Sequence, residues 1–216
     1  MSRYLWPALI VVIGLLVFGV IAAFVTPGPI GPDAPTLEAI EQARTEPWTQ
    51  VMVAITSFGK GRVTAVIVLV LAIGIGMQHA GAEAAFLLIA NLGSAVLSPG
   101  VKALFARPRP PPDVVTAITH PQSFSFPSGH ALSAMVFYTS LVLVAVRLGY
   151  RKLAVALTVL AVIMVPTMGF TRVYLGVHYP SDAIAGFALG AAWVWLAYLG
   201  YLVIGRNTSG AISPAN

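Results

Sequence analysis

Residues 124–146 read FSFPSGHALSAMVFYTSLVLVAV. From Ala131 to Val146 the run is apolar and uncharged. Just before it, Phe124 to His130 bring a proline, hydroxyls, a glycine and an imidazole together where a helix is about to begin. A helix start leaves backbone N–H groups unpaired and presents the positive end of the helix dipole, which suits an anion. The side chains around it can bond or transfer a proton, and the expected anion is a phosphate.

Outward from this junction the chain is very apolar. With 58% hydrophobic and 9% charged residues it has the composition of an integral membrane protein rather than a soluble domain. The absence of cysteine excludes disulfides and thiolate metal sites. A formal charge of +5 does not point to nucleic acid, because the basic residues sit in short segments between apolar runs and form no continuous face.

Apolar length predicts six membrane spans: Leu5 to Val25, Val63 to Met77, Ala84 to Phe105, Ala131 to Val146, Leu153 to Phe170 and Ala183 to Ile204. A cleaved leader is disfavoured for the first, whose apolar core exceeds the usual ~7–15 residues and is followed by further spans. The expected fold is an all-α bundle of six transmembrane helices in a single domain, 1–216, with its core at 51–205. Residues 27–50, holding Asp33, Glu38, Glu41, Arg44 and Glu46, predict a weak amphipathic helix lying on the membrane. Residues 207–216 are expected to be a disordered tail. Lys60 and Arg62 are expected to anchor at the headgroups.

Six spans place both termini on one side together with Arg3, Arg147, Arg151, Lys152 and Arg206, which the positive-inside rule makes cytoplasmic. The long segment before His130 and the loop from Thr171 to Asp182 then share the outer face. Lys102, Arg107, Arg109 and Arg172 also fall there, against the simple count of basic residues, and are read as site residues instead. The protein is therefore expected in a cytoplasmic membrane with an active site facing outward.

Three outward segments carry the chemistry. Lys102-x6-Arg109-Pro110 sets two cations at a helix end, nearly on one face if helical geometry held throughout. Pro127-Ser128-Gly129-His130 offers Ser128 as an N-cap, with the N–H groups of Gly129 and His130 free to face an oxyanion. In Arg172-x5-His178-x3-Asp182, Pro180 suits the first turn of the last span, so Asp182 can reach back to His178. A carboxylate on one ring nitrogen fixes the tautomer and leaves the other as a nucleophile, while Arg172 adds a fork suited to phosphate. Each residue alone is explained by capping or anchoring; three independent segments on one face are not. The spacing does not decide which histidine attacks.

This three-part signature over a six-span bundle resembles the type 2 phosphatidic acid phosphatases. The resemblance runs by motif from Lys102 to Asp182 and departs at Thr171, where the family usually has serine. It implies that His178 takes the phosphoryl group, that Asp182 orients it, and that His130 protonates the leaving oxygen and then activates water. Lys102, Arg109, Ser128, Gly129 and Arg172 would bind the phosphoryl oxygens. The implied substrates are lipid phosphates, with undecaprenyl diphosphate taken before phosphatidylglycerophosphate or phosphatidic acid, and the implied intermediate is a phosphohistidine. No metal and no cofactor is expected, since cations and backbone dipoles supply the charge stabilisation. Arg107 lies outside the signature; either it, or Lys60 and Arg62, is expected to meet a second phosphate of a diphosphate. Turnover is expected to fall as acid charges His178, whose reference pKa is about 6.5. Two other classes carry weaker support: a phosphate-lipid binding or transport protein without hydrolysis, and a vanadate-dependent haloperoxidase, which six apolar spans disfavour.

Overall fold

A computed structural model describes residues 2–59 and 61–210. Those residues form eight helices: α1 (Ser2–Phe24), α2 (Asp33–Gln42), α3 (Glu46–Phe58), α4 (Gly61–Met77), α5 (Gly81–Phe105), α6 (Gly129–Arg147), α7 (Arg151–Tyr174) and α8 (Pro180–Gly210). Among the described residues there are no strands. Among the described residues five helices are long and apolar enough to cross a membrane on their own, and α3 with α4, bent by 47° at their break, pass the same test together as a sixth candidate. The protein is an integral membrane helical bundle. Lipid-facing side chains such as Leu16, Val66, Val70, Val155 and Ile163 are correspondingly exposed.

Helix α8 is the axis of the bundle, packing against α1, α5, α6 and α7. Lipid tails are as apolar as leucine, so helices in a bilayer gain little from hydrophobicity and associate through close packing of small residues. Gly14 of α1 lies against Ala188 and Ala192, where a Cβ would stand 2.7 Å from the Ala188 carbonyl. On the opposite side, Gly186 and Gly190 let α6 approach: a Cβ at Gly186 would come within 2.5 Å of the Ser128 carbonyl. The start of α6 is thereby held directly against the start of α8. Leu87, Ala90, Leu132, Val136 and Val194 fill the core between α5, α6 and α8.

Several boundaries differ from the apolar runs. The second span needs α3 as well as α4, because the 17 residues of α4 rise only about 25 Å at ~1.5 Å each, short of the ~30 Å hydrocarbon core. Helix α7 continues past Phe170 to Tyr174, so Thr171 and Arg172 are in its last turns rather than in a loop. Both are buried, and packing against neighbouring helices extends the helix beyond its apolar run. Helix α8 continues through Gly210, so residues 207–210 of the expected tail are helical. The remaining tail, 211–216, and Lys60 lie outside the described residues.

Helix α2 docks on the rest of the protein. Asp33 and Leu37 are fully buried, and Leu37 packs with Val115, Tyr179 and Ala183. Just beyond it, Arg44 donates from Nε to the Tyr174 carbonyl (2.8 Å) and from Nη1 to the Thr116 carbonyl (2.6 Å), while Glu41 accepts the Thr116 N–H (2.8 Å). The pattern of Leu37 and Ile40 gives an apolar stripe but does not say what covers it. Here the outer loops do.

Gly186→Ala should push the Ser128 carbonyl and the start of α6 away from α8. An ångström of misplacement at a reacting centre can cost about 100-fold. Activity of the variant in detergent should therefore fall about 10- to 100-fold while the helical circular dichroism signal is retained; wild-type turnover would refute the close-packing role.

Candidate active site

The ends of α5 and α7, the starts of α6 and α8, and the loops between them bring the three segments together. At the start of α8, Tyr179 is the N-cap, Pro180 the first helical residue and Asp182 the third. Proline is tolerated there because its missing N–H would have had no intrahelical partner. The Asp182 carboxylate reaches back to the N–H of Tyr179 (2.9 Å), as an acidic side chain does in a capping box. The same oxygen, Oδ2, lies 3.3 Å from His178 Nδ1 and accepts the Ser125 hydroxyl. The expected contact between Asp182 and His178 is present.

The other face of the imidazole, Nε2, lies 3.2 Å from Arg109 Nη1. A guanidinium can only donate, so Nε2 is the acceptor and the proton belongs on Nδ1, facing Asp182. His178 is buried (2% exposed). Burial pushes its pKa down to about 3 despite the opposing pull of Asp182. The reference value of about 6.5 therefore does not apply: the ring is neutral, with a lone pair on Nε2, far into acid.

Lys102 and Arg109 converge despite Pro108. Ala106 takes a left-handed conformation (φ 45°) and closes α5 with its N–H on the Lys102 carbonyl. Lys102 Nζ donates to the carbonyls of Phe124 and Ser125, the latter at 3.0 Å. Arg109 donates to the Ser123 carbonyl (2.9 Å), the Ser123 hydroxyl (3.1 Å) and the Val177 carbonyl. Arg172 Nη1 donates to the hydroxyl of Thr56 on α3 (2.8 Å), and its Nε is buried without a partner.

Ser128 does occupy the N-cap of α6, but its buried hydroxyl makes no cap bond and has no hydrogen-bond partner among the described residues. Its backbone N–H donates to the Asp182 carbonyl (2.9 Å), tying the two helix starts together. Gly129 is required by packing as well as by any ligand, since a Cβ there would stand 2.9 Å from Ser98 Oγ. His130 has no hydrogen-bond partner among the described residues. Its ring lies within electrostatic reach of Arg172, His178, Arg109 and Lys102 and against Gly59 of the α3–α4 break. The Thr171 hydroxyl bonds the Met168 carbonyl of its own helix (2.7 Å) and supports no site residue.

Residues 83–205 match the profile of the PAP2 superfamily. The chain belongs to the PAP2 superfamily. Among curated PAP2-like proteins it is 29% identical over 161 residues to phosphatidylglycerophosphatase B of Bacillus subtilis, covering 71% of this chain and 77% of that one. It is 40% identical over 92 residues to a decaprenylphosphoryl-5-phosphoribose phosphatase of Mycobacterium tuberculosis, covering 42% and 46% of the two chains. A solved structure, described as the first transmembrane PAP2 type phosphatidylglycerolphosphate phosphatase from Bacillus subtilis, superposes with a TM-score of 0.77 at 23% identity. That likeness covers 95% of this chain and 98% of the other, and extends the PAP2 fold over the segments before residue 83.

Three residues of this PAP2 site were not legible from the signature: Thr56, Ser125 and Arg107. Ser125 stood inside the opening stretch as an unassigned hydroxyl, and Thr56 in an apolar segment with no sign of a partner 116 positions away. Arg107 corrects an expectation. Its terminal nitrogens donate to Asp182 Oδ1 (2.6 Å), Ser181 Oγ (2.9 Å), Asp33 Oδ2 (3.1 Å) and the Gly28 carbonyl (2.8 Å), so they are not directed to a second phosphate. Among the described residues no cluster of three or more histidines and acids could hold a metal ion.

Because kcat/KM reports groups of the free enzyme, its acid limb should lie well below the ordinary histidine range. After correction for the substrate's own ionisation near pH 6, kcat/KM should be level from pH 7 to about 5. A midpoint near 6.5 would show that His178 titrates like an exposed histidine.

Proposed function

We propose that this PAP2 protein is a lipid phosphatase that transfers the phosphoryl group of a membrane lipid to His178 and then to water, at the outer face of a cytoplasmic membrane. The observation that carries this reading is His178 itself. A neutral, buried imidazole is oriented by Asp182 at one nitrogen and presents the other beside Arg109. The buried Ser128 hydroxyl and Arg172 Nε, both without protein partners, suit phosphoryl oxygens. The first N–H groups of α6 add the donors of a helix N-terminus.

In the first step His178 Nε2 forms a bond to phosphorus as the bond to the lipid oxygen breaks. His130, which has no carboxylate partner, donates the proton that the leaving oxygen takes up. In the second step His130 accepts a proton from water, whose oxygen attacks phosphorus and releases His178 and inorganic phosphate. Lys102, Arg109, Arg172, Ser128 and the N–H of Gly129 stabilise the charge that accumulates on the phosphoryl oxygens, without a call for a metal.

The apolar surroundings support a lipid tail. A cleft of about 290 Å³ between α3, α4, α6 and α7 is lined by Phe58, Ile67, Phe137 and Met168, and Gly59 at its edge touches His130. The relatives' names point to phosphatidylglycerophosphate and to polyprenyl phosphates, and a further relative, from Sulfolobus acidocaldarius, is named an undecaprenyl-diphosphatase. Phosphatidylglycerophosphate and undecaprenyl diphosphate are the leading substrates. The outward orientation rests on Arg3, Arg147, Arg151 and Lys152 lying at the end of the bundle opposite the site.

The purified protein in detergent with chelator should release inorganic phosphate from these two lipids, and His178→Ala should lower the rate at least about 1000-fold, as loss of a nucleophile does. Binding of the lipids without phosphate release by folded wild type would instead identify a binding or transport protein.

A further inference from the structure

Asp33 lies well before the first residue of the PAP2 match, on a helix that the signature does not describe. It is nevertheless 1% exposed, and so is Arg107, each of whose terminal nitrogens contacts two protein acceptors. Taking His178 and Asp182 as the nucleophile and its orienting carboxylate, we infer that Asp33 and Arg107 are positioning residues: a buried chain of Asp33, Arg107 and Asp182 through which α2 fixes the carboxylate that aims His178.

The geometry of Asp182 makes the case. Its Oδ2 is occupied by the Tyr179 N–H, the Ser125 hydroxyl and His178 Nδ1. Its Oδ1 is held by Arg107 Nη1 alone, at 2.6 Å. Rotation of the carboxylate about its own axis is therefore stopped on the Oδ2 side by the groups it must serve, and on the Oδ1 side by Arg107. Arg107 is fixed in turn. One terminal nitrogen spans Asp182 and Ser181 Oγ, and the other spans Asp33 Oδ2 and the Gly28 carbonyl. Its guanidinium carbon lies 4.0 Å from the centre of the Tyr179 ring.

Asp33 is more than a counter-charge. Its Oδ1 accepts the Ser181 N–H (2.9 Å), a first-turn donor of α8 without an intrahelical partner, and its Oδ2 accepts the Ser181 hydroxyl (2.7 Å). Asp33 thus caps α8 from another helix, one residue away from Asp182. A further bond from the Ile30 N–H (3.0 Å) fixes the side chain to its own turn. Two carboxylates around one guanidinium leave a net negative charge, which sits beside the cations Lys102 and Arg109. This arrangement keeps Asp182 ionised and immobile without placing any of its members in contact with substrate.

The test uses the full chain in detergent and compares Asp33→Asn, Arg107→Gln and Arg107→Lys for kcat, KM, pH profile and thermal midpoint. Asp33→Asn still offers an oxygen to the Ser181 N–H but removes the charge facing Arg107. It should lower kcat about 10-fold with KM within about twofold, since aim and not substrate contact is lost. Arg107→Gln should lower kcat about 100-fold, and Arg107→Lys should restore part of that loss. The charged groups facing His178 are Asp182 from α8, Arg109 from the loop after α5, and Lys102 from α5. None changes in these variants. Removing the Arg107 charge should move the acid limb of kcat/KM upward, whereas Asp33→Asn, which leaves Arg107 wholly to Asp182, should not.

If Asp33 serves the fold alone, both variants admit water to His178 and move the limb upward together; that result, or a kcat within about twofold of wild type in Asp33→Asn, overturns the inference. Should Asp33→Asn fail to fold, Ser181→Ala carries the test, because it deletes only the hydroxyl shared by Asp33 and Arg107: a lowered kcat at constant KM supports the inference and an unaltered kcat overturns it. His178→Ala measured alongside keeps the two levels apart, since activity surviving there would refute the nucleophile and not the positioning chain.

Discussion

The structure depends on one buried carboxylate. Asp182 is fully excluded from solvent at the start of a membrane helix, where an ionised group without partners would be costly by several kcal/mol. Its neighbours answer that cost. The Tyr179 N–H comes from its own helix cap, the Ser125 hydroxyl from the long loop before α6, His178 from the short loop before α8, and Arg107 from just beyond the end of α5. Satisfying this one group requires the end of α5, the loop before α6 and the start of α8 to meet at a point. Removing one partner of such a buried pair typically costs about 3–5 kcal/mol, so the convergence is enforced by the electrostatics of burial.

The bilayer shapes how that convergence is reached. Close contacts at Gly14, Gly186 and Gly190 bring helix backbones together, and a few polar cross-links set register: Asn91 to Ser140 (3.2 Å), Trp193 to the Ala90 carbonyl (2.7 Å) and Tyr201 to Glu83 (2.6 Å). The glycines that pack α6 on α8 are therefore also site residues in effect, because they decide where Ser128 and His130 stand. Apolar surface on α3, α4, α6 and α7 is left beside His130. Polar groups gathered at helix ends and an apolar cleft between helix flanks are two consequences of one packing arrangement.

Particular residues show where sequence reasoning carried and where it stopped. Pro180 marked the start of the last helix, and the spacing to Asp182 implied the contact with His178; both follow from geometry over a few residues. The signature led to Lys102, Arg109, Ser128, Gly129, His130 and Arg172, and the structure gathers all of them at one end of the bundle. The end of α5 at Phe105 was also readable, from the apolar run that stops there. By contrast Arg107 was assigned to substrate, and Asp33 to a helix on the membrane surface. Arg107 pairs with residues 74 and 75 positions away on opposite sides of it in the chain. No periodicity or local propensity encodes such a pairing.

The sequence alone determined the all-α membrane class, five of the long apolar helices, the start of the last helix and residue types that suit a phosphate, because lipid as a solvent demands apolar length and because proline, glycine and caps act within a turn. Tertiary structure decided that α3 and α4 are parted by a bend, that α2 packs on the protein, that the Ser128 hydroxyl has no partner among the described residues, and that His178 is neutral far below its reference pKa. Each of these depends on what is buried against what, and burial is a property of the assembled bundle rather than of any one segment.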